Sequence, residues 1–512
     1  MKIQKTYDVI ILTEGSDSIF QVVRSLGGYK IASALRNEGY SVFVLNNFTH
    51  WMKNGKINEI LDKLIGDNTL WLGFSSTLFM RKSHEVKRKR HSRDGARVNI
   101  LWHWPTDDEM MDELTSYVRS KGVKTVYGGM MSSLRYWDVK DQIDYYIQGM
   151  GEVPAIDLSN HLKYGTPLKY NEDKIYEDDS KVLDYDAKGD AFDFRNHKVN
   201  YVPEDFWNPE DAMGIEFGRG CIFKCKFCGY PLIGKKKGDM SFLRCKERIK
   251  EELQQNYDLY GTTRYVIIDD TFNEQTIKLE VIADAIDELD LPPLQFSAFI
   301  RIDLVAAFPE QIELLKRINV CAWFLGIESL NHKAAKTIGK GCPREKIFDT
   351  IEASKKAFDD KLSVYGSFIT GLPYDTKEEM DRWIQILFQR KDLFDAYSFS
   401  PLELGTDSIL SKNAEAYGYI VDSENNTWEH PEMGWTSDSA IEYTENLQRG
   451  FVKDIKVSTF FLMFYQFLGL SFDELRKLSF YELNFNDELK AYAKEYMQKS
   501  YYGRVESFLG VS

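Results

Sequence analysis

Short apolar runs alternate with amphipathic segments along most of the chain, and the pattern falls into two stretches. In residues 1–165, YDVIIL (7–12), the end of SLGGYKIASALRNEGYSVFVL (25–45), LWLGFSS (70–76), VKTVYGGM (123–130) and the start of DYYIQGMGEVPAIDLSNHL (144–162) read as strands. Helical patterns lie between them, notably NEILDKLI (58–65) and MMDELTSYVRSKG (110–122). The rhythm resumes with MGIEF (213–217), RYVIIDD (264–270), QFSAFI (295–300), CAWFLGI (321–327), LSVYGSFIT (362–370) and AYSFS (396–400), again separated by helical patterns such as SFLRCKERIKEELQQNY (241–257). Short buried strands alternating with helices predict βαβ units and parallel sheets. The first stretch therefore predicts a doubly wound, Rossmann-like α/β domain over 1–165, which binds ligands beyond its strand C-termini. The second predicts six βα units over 206–410. Residues 166–205, polar and acidic (YNEDKIYEDDSKVLDYDAKGD), read as a linker, and 411–512 as an aromatic-rich helical region.

Composition narrows the class. A chain of 512 residues holds two to four domains. It contains no uninterrupted apolar stretch of about 18 residues, so no membrane span is expected. MKIQKTYDVIILTEGS reads as a first strand and not as a signal peptide. The net charge of −14 argues against broad nucleic-acid binding. Residues 81–97, RKSHEVKRKRHSRDGAR, depart from this with eight Lys or Arg against two acids. Such runs are usually solvated loops; the functional alternative is an electropositive flap for a phosphate-bearing substrate, a nucleic acid or an electron donor.

The chemistry concentrates in GRGCIFKCKFCGY, where Cys221, Cys225 and Cys228 stand as C-x3-C-x2-C. Three thiolates on one loop suit three irons of a cubane. Protein-bound clusters normally take four cysteines, so one iron is left for another ligand, and open metal positions are where chemistry happens. The alternative is a zinc knuckle, which wants a fourth Cys or His nearby; neither occurs between Cys228 and Cys245. Cys245, Cys321 and Cys342 are widely spaced and read as buried small hydrophobes. Six cysteines without a regular framework point to a reducing, cytoplasmic location.

The cysteine spacing, with Phe227 before the last cysteine, resembles the signature of the radical S-adenosylmethionine (SAM) superfamily. The resemblance implies a partial (β/α)6 TIM-like barrel and a 4Fe-4S cluster on the three cysteines. It further implies SAM chelated by the open iron, an external flavodoxin- or ferredoxin-like electron donor, and cleavage of SAM to a 5′-deoxyadenosyl radical. Active residues of such barrels gather at strand C-terminal ends, and segments there match in order. IDDTF (268–272) stands where the superfamily contacts the SAM amino group, through Asp269 and Asp270. IRID (300–303) resembles its Arg-bearing third strand with Arg301, and FLGIESLN (324–331) its "GIES" segment with Glu328. SFITGLPYDT (367–376), with Ser367 and Thr370, is similar to the segment whose backbone approaches adenine; FSPLELGTDSIL (399–410) is like the following exit, with Leu404 in place of Pro. Carboxylates suit an ammonium and a ribose diol, and Arg suits a carboxylate. For each acid the alternative is a helix cap or solvation, and for Asp270 alone that alternative is favoured.

GGYKIASALRNEGYSV, LGFSS, VYGG and GMGE fall in the order of the N-terminal cobalamin-binding-type domain of a radical SAM subclass. The cobalt-ligating D-x-H-x-x-G motif is absent, and His50 lacks the preceding Asp, so it reads as a polar surface residue. Cobalamin occupancy stays open on this evidence. In the tail, His430 with Trp428 and Trp435 is the most site-like group, although packing explains it as well. The tail is also where such enzymes often close the barrel over substrate.

The leading expectation is a radical SAM enzyme performing cobalamin-dependent methylation of an unactivated carbon. One rival is a cobalamin-independent radical rearrangement or oxidation. Methylthiolation that uses a second cluster is disfavoured, because no cysteine precedes Cys221. A rival of another class is a non-catalytic, metal-stabilised binding protein, which has no need of polar residues at successive strand ends.

Overall fold

A computed structural model describes residues 6–14, 24–76, 79–81, 104–106, 108–129, 142–168, 181–184, 192–229, 235–404, 408–422, 427–451, 467–478 and 486–511. Apart from the backbone of Arg81, the basic stretch 81–97 lies outside them, as does part of the exit segment after Leu404.

The first eight strands are β1 (Val9–Thr13), β2 (Val42–Asn46), β3 (Trp71–Ser75), β4 (Phe79–Arg81), β5 (Trp104–Thr106), β6 (Lys124–Gly129), β7 (Tyr145–Gln148) and β8 (Lys181–Asp184). Six of them form a parallel sheet in the order β2-β1-β3-β6-β7-β8, while β4 and β5 pair with each other. Strands this central are apolar on both faces because helices cover both. Val9 and Ile11 face a core shared with Ala32, Leu35, Ala155 and Leu158 of helices Leu26–Asn37 and Glu152–Tyr164. Ile10 and Leu12 face Phe48, Trp51, Ile60 and Leu114 of the helices on the other side. β8 corrects the linker expected at 166–205: it adds a sixth strand to the sheet, and Phe194, Val199 and Tyr201 beyond it are buried. The short KVLD run sits among acids, so no alternation long enough to read as a strand is left.

Six more strands, β9 (Met213–Ile215), β10 (Arg264–Ile267), β11 (Gln295–Ile300), β12 (Val320–Glu328), β13 (Ser363–Thr370) and β14 (Ala396–Pro401), pair in sequential order, all parallel. β9 and β14 remain at the edges, giving the open partial barrel expected. Side chains alternate between faces. Phe296, Ala298, Ile300, Trp323, Leu325, Val364 and Phe368 join the core shared with the surrounding helices. The opposite face carries Phe299, Phe324 and Tyr365, whose rings meet across strands at 4.9 and 4.7 Å.

The tail is only partly the helical cap expected over 411–512. β15 (Ile420–Asp422), β16 (Thr427–His430) and β17 (Trp435–Thr436) make an antiparallel sheet. Trp428 and Trp435 are structural posts whose indole N–H groups donate to the carbonyls of Leu402 and Asp375. The last helices, from Asp487, return to the N-terminal sheet: Asn46 N donates to Tyr501 Oη, Asn47 to Tyr502 Oη, and Lys56 pairs with Glu506.

Candidate cluster and cofactor site

The cysteine loop leaves β9 at Glu216 and is fixed from below. Both oxygens of the buried Asp269 accept backbone N–H groups, those of Phe217 and Gly218, at 2.8 Å each. Lys278 closes on the same carboxylate at 2.7 Å and on Glu274 at 3.6 Å. A side chain at Gly218 would collide with Lys278, since its Cβ would lie 2.7 Å from Nζ. Lys235 ties the far side, donating its backbone N–H to the Cys221 carbonyl and its ammonium to Glu274 at 2.8 Å. Cys221 is buried with its sulfur 3.2 Å from the Thr271 hydroxyl; Cys225 and Cys228 are half-buried, and none of the three is in a disulfide. Gly339, at φ +91°, comes so close that its Cβ would sit 3.5 Å from Cys225 Cα, and Lys226 N donates to the Ile338 carbonyl.

The donor set fits a 4Fe-4S cluster: three thiols outside any disulfide on one loop, held at the C-terminal end of a parallel sheet. Among the described residues no three His, Cys, Asp or Glu side chains converge on a single ion. A cubane asks for one thiolate per iron and not for convergence.

The other expected ligands divide. Asp269 is committed to the loop backbone and Lys278, so it is not offered to a ligand. Asp270, its neighbour in sequence, is half-buried without a hydrogen-bond partner among the described residues. Burial, with repulsion from Glu216 and Asp269, pushes its carboxyl up to about 6. Arg301 reaches the site but is occupied by Asp303, the Gly339 carbonyl and the Cys225 sulfur. Glu328 sits at φ +69° beside a register shift in β12, a conformation that costs a non-glycine residue energy and gathers at functional sites. Burial raises its carboxyl, against Lys340 at 3.6 Å. Ser367 is half-buried on β13, and Phe227 packs at the edge of the barrel core. Thr370 is fully buried with its hydroxyl on Thr444, so it anchors helix Ser437–Phe451 and does not face a ligand.

Two features escaped sequence reasoning. Lys340 carries no motif signal, yet it follows Gly339 and donates to the Gly326 carbonyl at 2.8 Å. The second is a buried ion cluster joining the two sheets. Arg219, two residues before Cys221, binds Glu152 at 2.8 Å and Glu216 at 3.0 Å, and Lys30 binds Glu216 at 2.7 Å. Lys30 and Glu152 belong to helices of the N-terminal domain, Glu216 and Arg219 to the cysteine loop. Burial opposes ionisation of both glutamates, but Arg219 and Lys30 outweigh it and hold them below the usual carboxylate range. GMGE and GRGC were each noticed in the sequence; only the fold pairs them.

Beyond the strand ends of the N-terminal sheet, Gly129 (φ +143°) packs so closely on Ser76 that a Cβ there would come within 2.2 Å of its Oγ. Among the described residues the buried Asn46 side-chain nitrogen has no partner. Such a small-residue, polar crest fits a flat macrocycle with amide edges. His50 is half-buried, stacked on Tyr502 at 3.7 Å and joined to Asn54 by an exposed hydrogen bond, as suits the polar surface residue expected.

Residues 215–387 match the radical SAM superfamily, whose cofactors are a 4Fe-4S cluster and SAM. An uncharacterized methyltransferase of Pyrococcus horikoshii is 28% identical over 253 residues, 48% of this chain and 52% of the relative. A putative methylthiotransferase of Methanocaldococcus jannaschii is 28% identical over 282 residues, 52% and 57% of the two chains. The chain thus matches somewhat more than half the length of these curated relatives. In fold it is similar to the radical SAM methyltransferase TsrM from Kitasatospora setae, solved with cobalamin and a 4Fe-4S cluster bound. That likeness has a TM-score of 0.64 at 13% identity and covers 96% of this chain and 99% of TsrM. No described helix is long and apolar enough to cross a membrane.

Proposed function

We propose that this chain is a radical SAM methyltransferase that uses cobalamin to methylate an unactivated carbon. The observation that carries this reading is the Arg219–Glu152–Glu216–Lys30 cluster, which fastens the ligand-binding end of the N-terminal sheet to the cysteine loop. A domain that only stabilised the barrel would not need its strand ends held there by buried charges, which are poor stabilisers but good at fixing geometry.

When bound, the cluster supplies the electron that cleaves SAM to a 5′-deoxyadenosyl radical, and a methylated cobalamin the methyl group. The chain's own residues bind and shield. Cys221, Cys225 and Cys228 hold the cluster, and Glu328 and Lys340 take the ammonium and carboxylate of SAM as opposite charges. Asp270, just past the end of β10, and Ser367, within β13, serve the remaining polar edges of SAM. Phe299, Phe324 and Tyr365 give the barrel face an apolar lining that excludes water from a reactive species. Asn46, Ser76 and Gly129 form the crest for the corrin. The chain is supplied with electrons by an external donor and works in a reducing, cytoplasmic setting.

The test is anaerobic reconstitution with iron, sulfide and hydroxocobalamin, gel filtration, then turnover with methyl-deuterated SAM. Retained corrin absorbance at one per chain, lost in Gly129→Val with iron content unchanged, supports the reading. Full iron and SAM cleavage without retained corrin would replace it with the cobalamin-independent alternative.

A further inference from the structure

We propose that Arg301 tunes the electron affinity of the cluster through the Cys225 sulfur instead of anchoring SAM. This rests on the reading that the three cysteines hold a cluster. Arg301 Nη1 donates to Cys225 Sγ at 3.3 Å. Its other contacts leave little choice of position. Nε and Nη2 grip Asp303 at 3.0 and 2.6 Å, and Nη2 also donates to the Gly339 carbonyl at 3.1 Å. The guanidinium lies over the Phe223 ring at 3.9 Å. The backbone is pinned too, because Asn273 accepts from Arg301 N and donates to its carbonyl, and Gln311 accepts from the Asn273 side chain.

Four of the five guanidinium N–H donors therefore have partners. A SAM carboxylate would receive at most one, where bidentate recognition uses two. Lys340, with a single hydrogen bond and a loose ion pair, is the less committed cation. One-electron reduction adds negative charge that spreads over the cluster and its thiolates. Hydrogen bonds to the sulfurs and nearby net charge set the potential of such centres. The Arg301–Asp303 pair is neutral as a whole but presents its positive end to Cys225. A guanidinium stays charged at all accessible pH, so the effect is constant.

The experiment is a redox titration of the anaerobically reconstituted full chain, with dithionite as reductant and viologen mediators, reading the EPR signal of the reduced cluster. Arg301→Gln should load iron normally and lower the reduced-to-oxidised ratio at fixed potential about tenfold, about 59 mV for a one-electron couple. Arg301→Lys should fall between, and Asp303→Asn should shift the opposite way. If Arg301→Gln fails to load iron, the shift in Asp303→Asn decides alone. Unchanged potentials at full iron content, with weakened SAM binding in Arg301→Gln, would overturn the proposal and return Arg301 to SAM. A wild-type chain that takes up no cluster would instead remove the reading beneath it.

Discussion

Glu152→Gln is the sharpest perturbation of the joint between the two sheets. Two cations, Lys30 and Arg219, face two carboxylates, Glu152 and Glu216, with Arg219 and Glu152 side chains only 4% and 3% exposed. The amide keeps the shape but leaves two cations against one carboxylate. A unit pair about 4 Å apart interacts by about 4 kcal/mol at an effective dielectric constant near 20. Removing one partner of a buried pair costs about 3–5 kcal/mol. Arg219→Met alone leaves one cation against two carboxylates and should cost a similar amount. The double variant leaves Lys30 and Glu216 balanced, so it should cost less than the two singles together, by about 1–3 kcal/mol. Urea unfolding of the apo-protein at pH 7, followed by far-UV circular dichroism, measures both quantities. The pH dependence has a defined sign. Both glutamates titrate below their unfolded values, so their contribution is present above about pH 4.3 and is lost only as pH falls through the depressed folded values. A Glu152→Gln variant within about 0.5 kcal/mol of wild type, or strict additivity in the double variant, would refute this reasoning.

Two other perturbations test the strand ends. Burial pushes the Asp375 carboxyl up to about 6, against hydrogen bonds from Ser329 and Trp383. Its contribution to stability is full below the unfolded value and is lost as pH rises through 6. Wild type should therefore lose on the order of 2–3 kcal/mol between about pH 4 and 7 that Asp375→Asn does not; parallel unfolding curves for the two would contradict it. Glu328→Gly relieves a left-handed conformation worth roughly 1–2 kcal/mol and removes a buried carboxylate. It should leave the apo-protein at least as stable while weakening SAM binding, measured by equilibrium dialysis on reconstituted protein, by tenfold or more. A variant that unfolds more easily would assign Glu328 to the fold.

The strands were legible because their apolar runs are bounded by turns and acids: QFSAFI is β11 residue for residue, and AYSFS lies within β14. What sequence could not resolve is orientation and distant pairing. Asp269 and Asp270 look alike in IDDTF, and both lie past the end of β10, where strand alternation no longer tells their surroundings apart. Asp269 is spent on backbone N–H groups and Lys278, while Asp270 stays half-buried. Arg301 was found by type, but its contact with Cys225 spans 76 positions. The return of Tyr501 and Tyr502 to Asn46 and Asn47 spans 455 positions, which no local pattern records.

The most direct test of the central claim is 5′-deoxyadenosine formation by the anaerobically reconstituted, dithionite-reduced chain supplied with SAM, with Cys225→Ala as control. Wild type should bind close to four irons per chain and produce the nucleoside, and the variant should produce none. Nucleoside from both proteins, or from neither at full iron content in wild type, would contradict a cluster on Cys221, Cys225 and Cys228 that cleaves SAM.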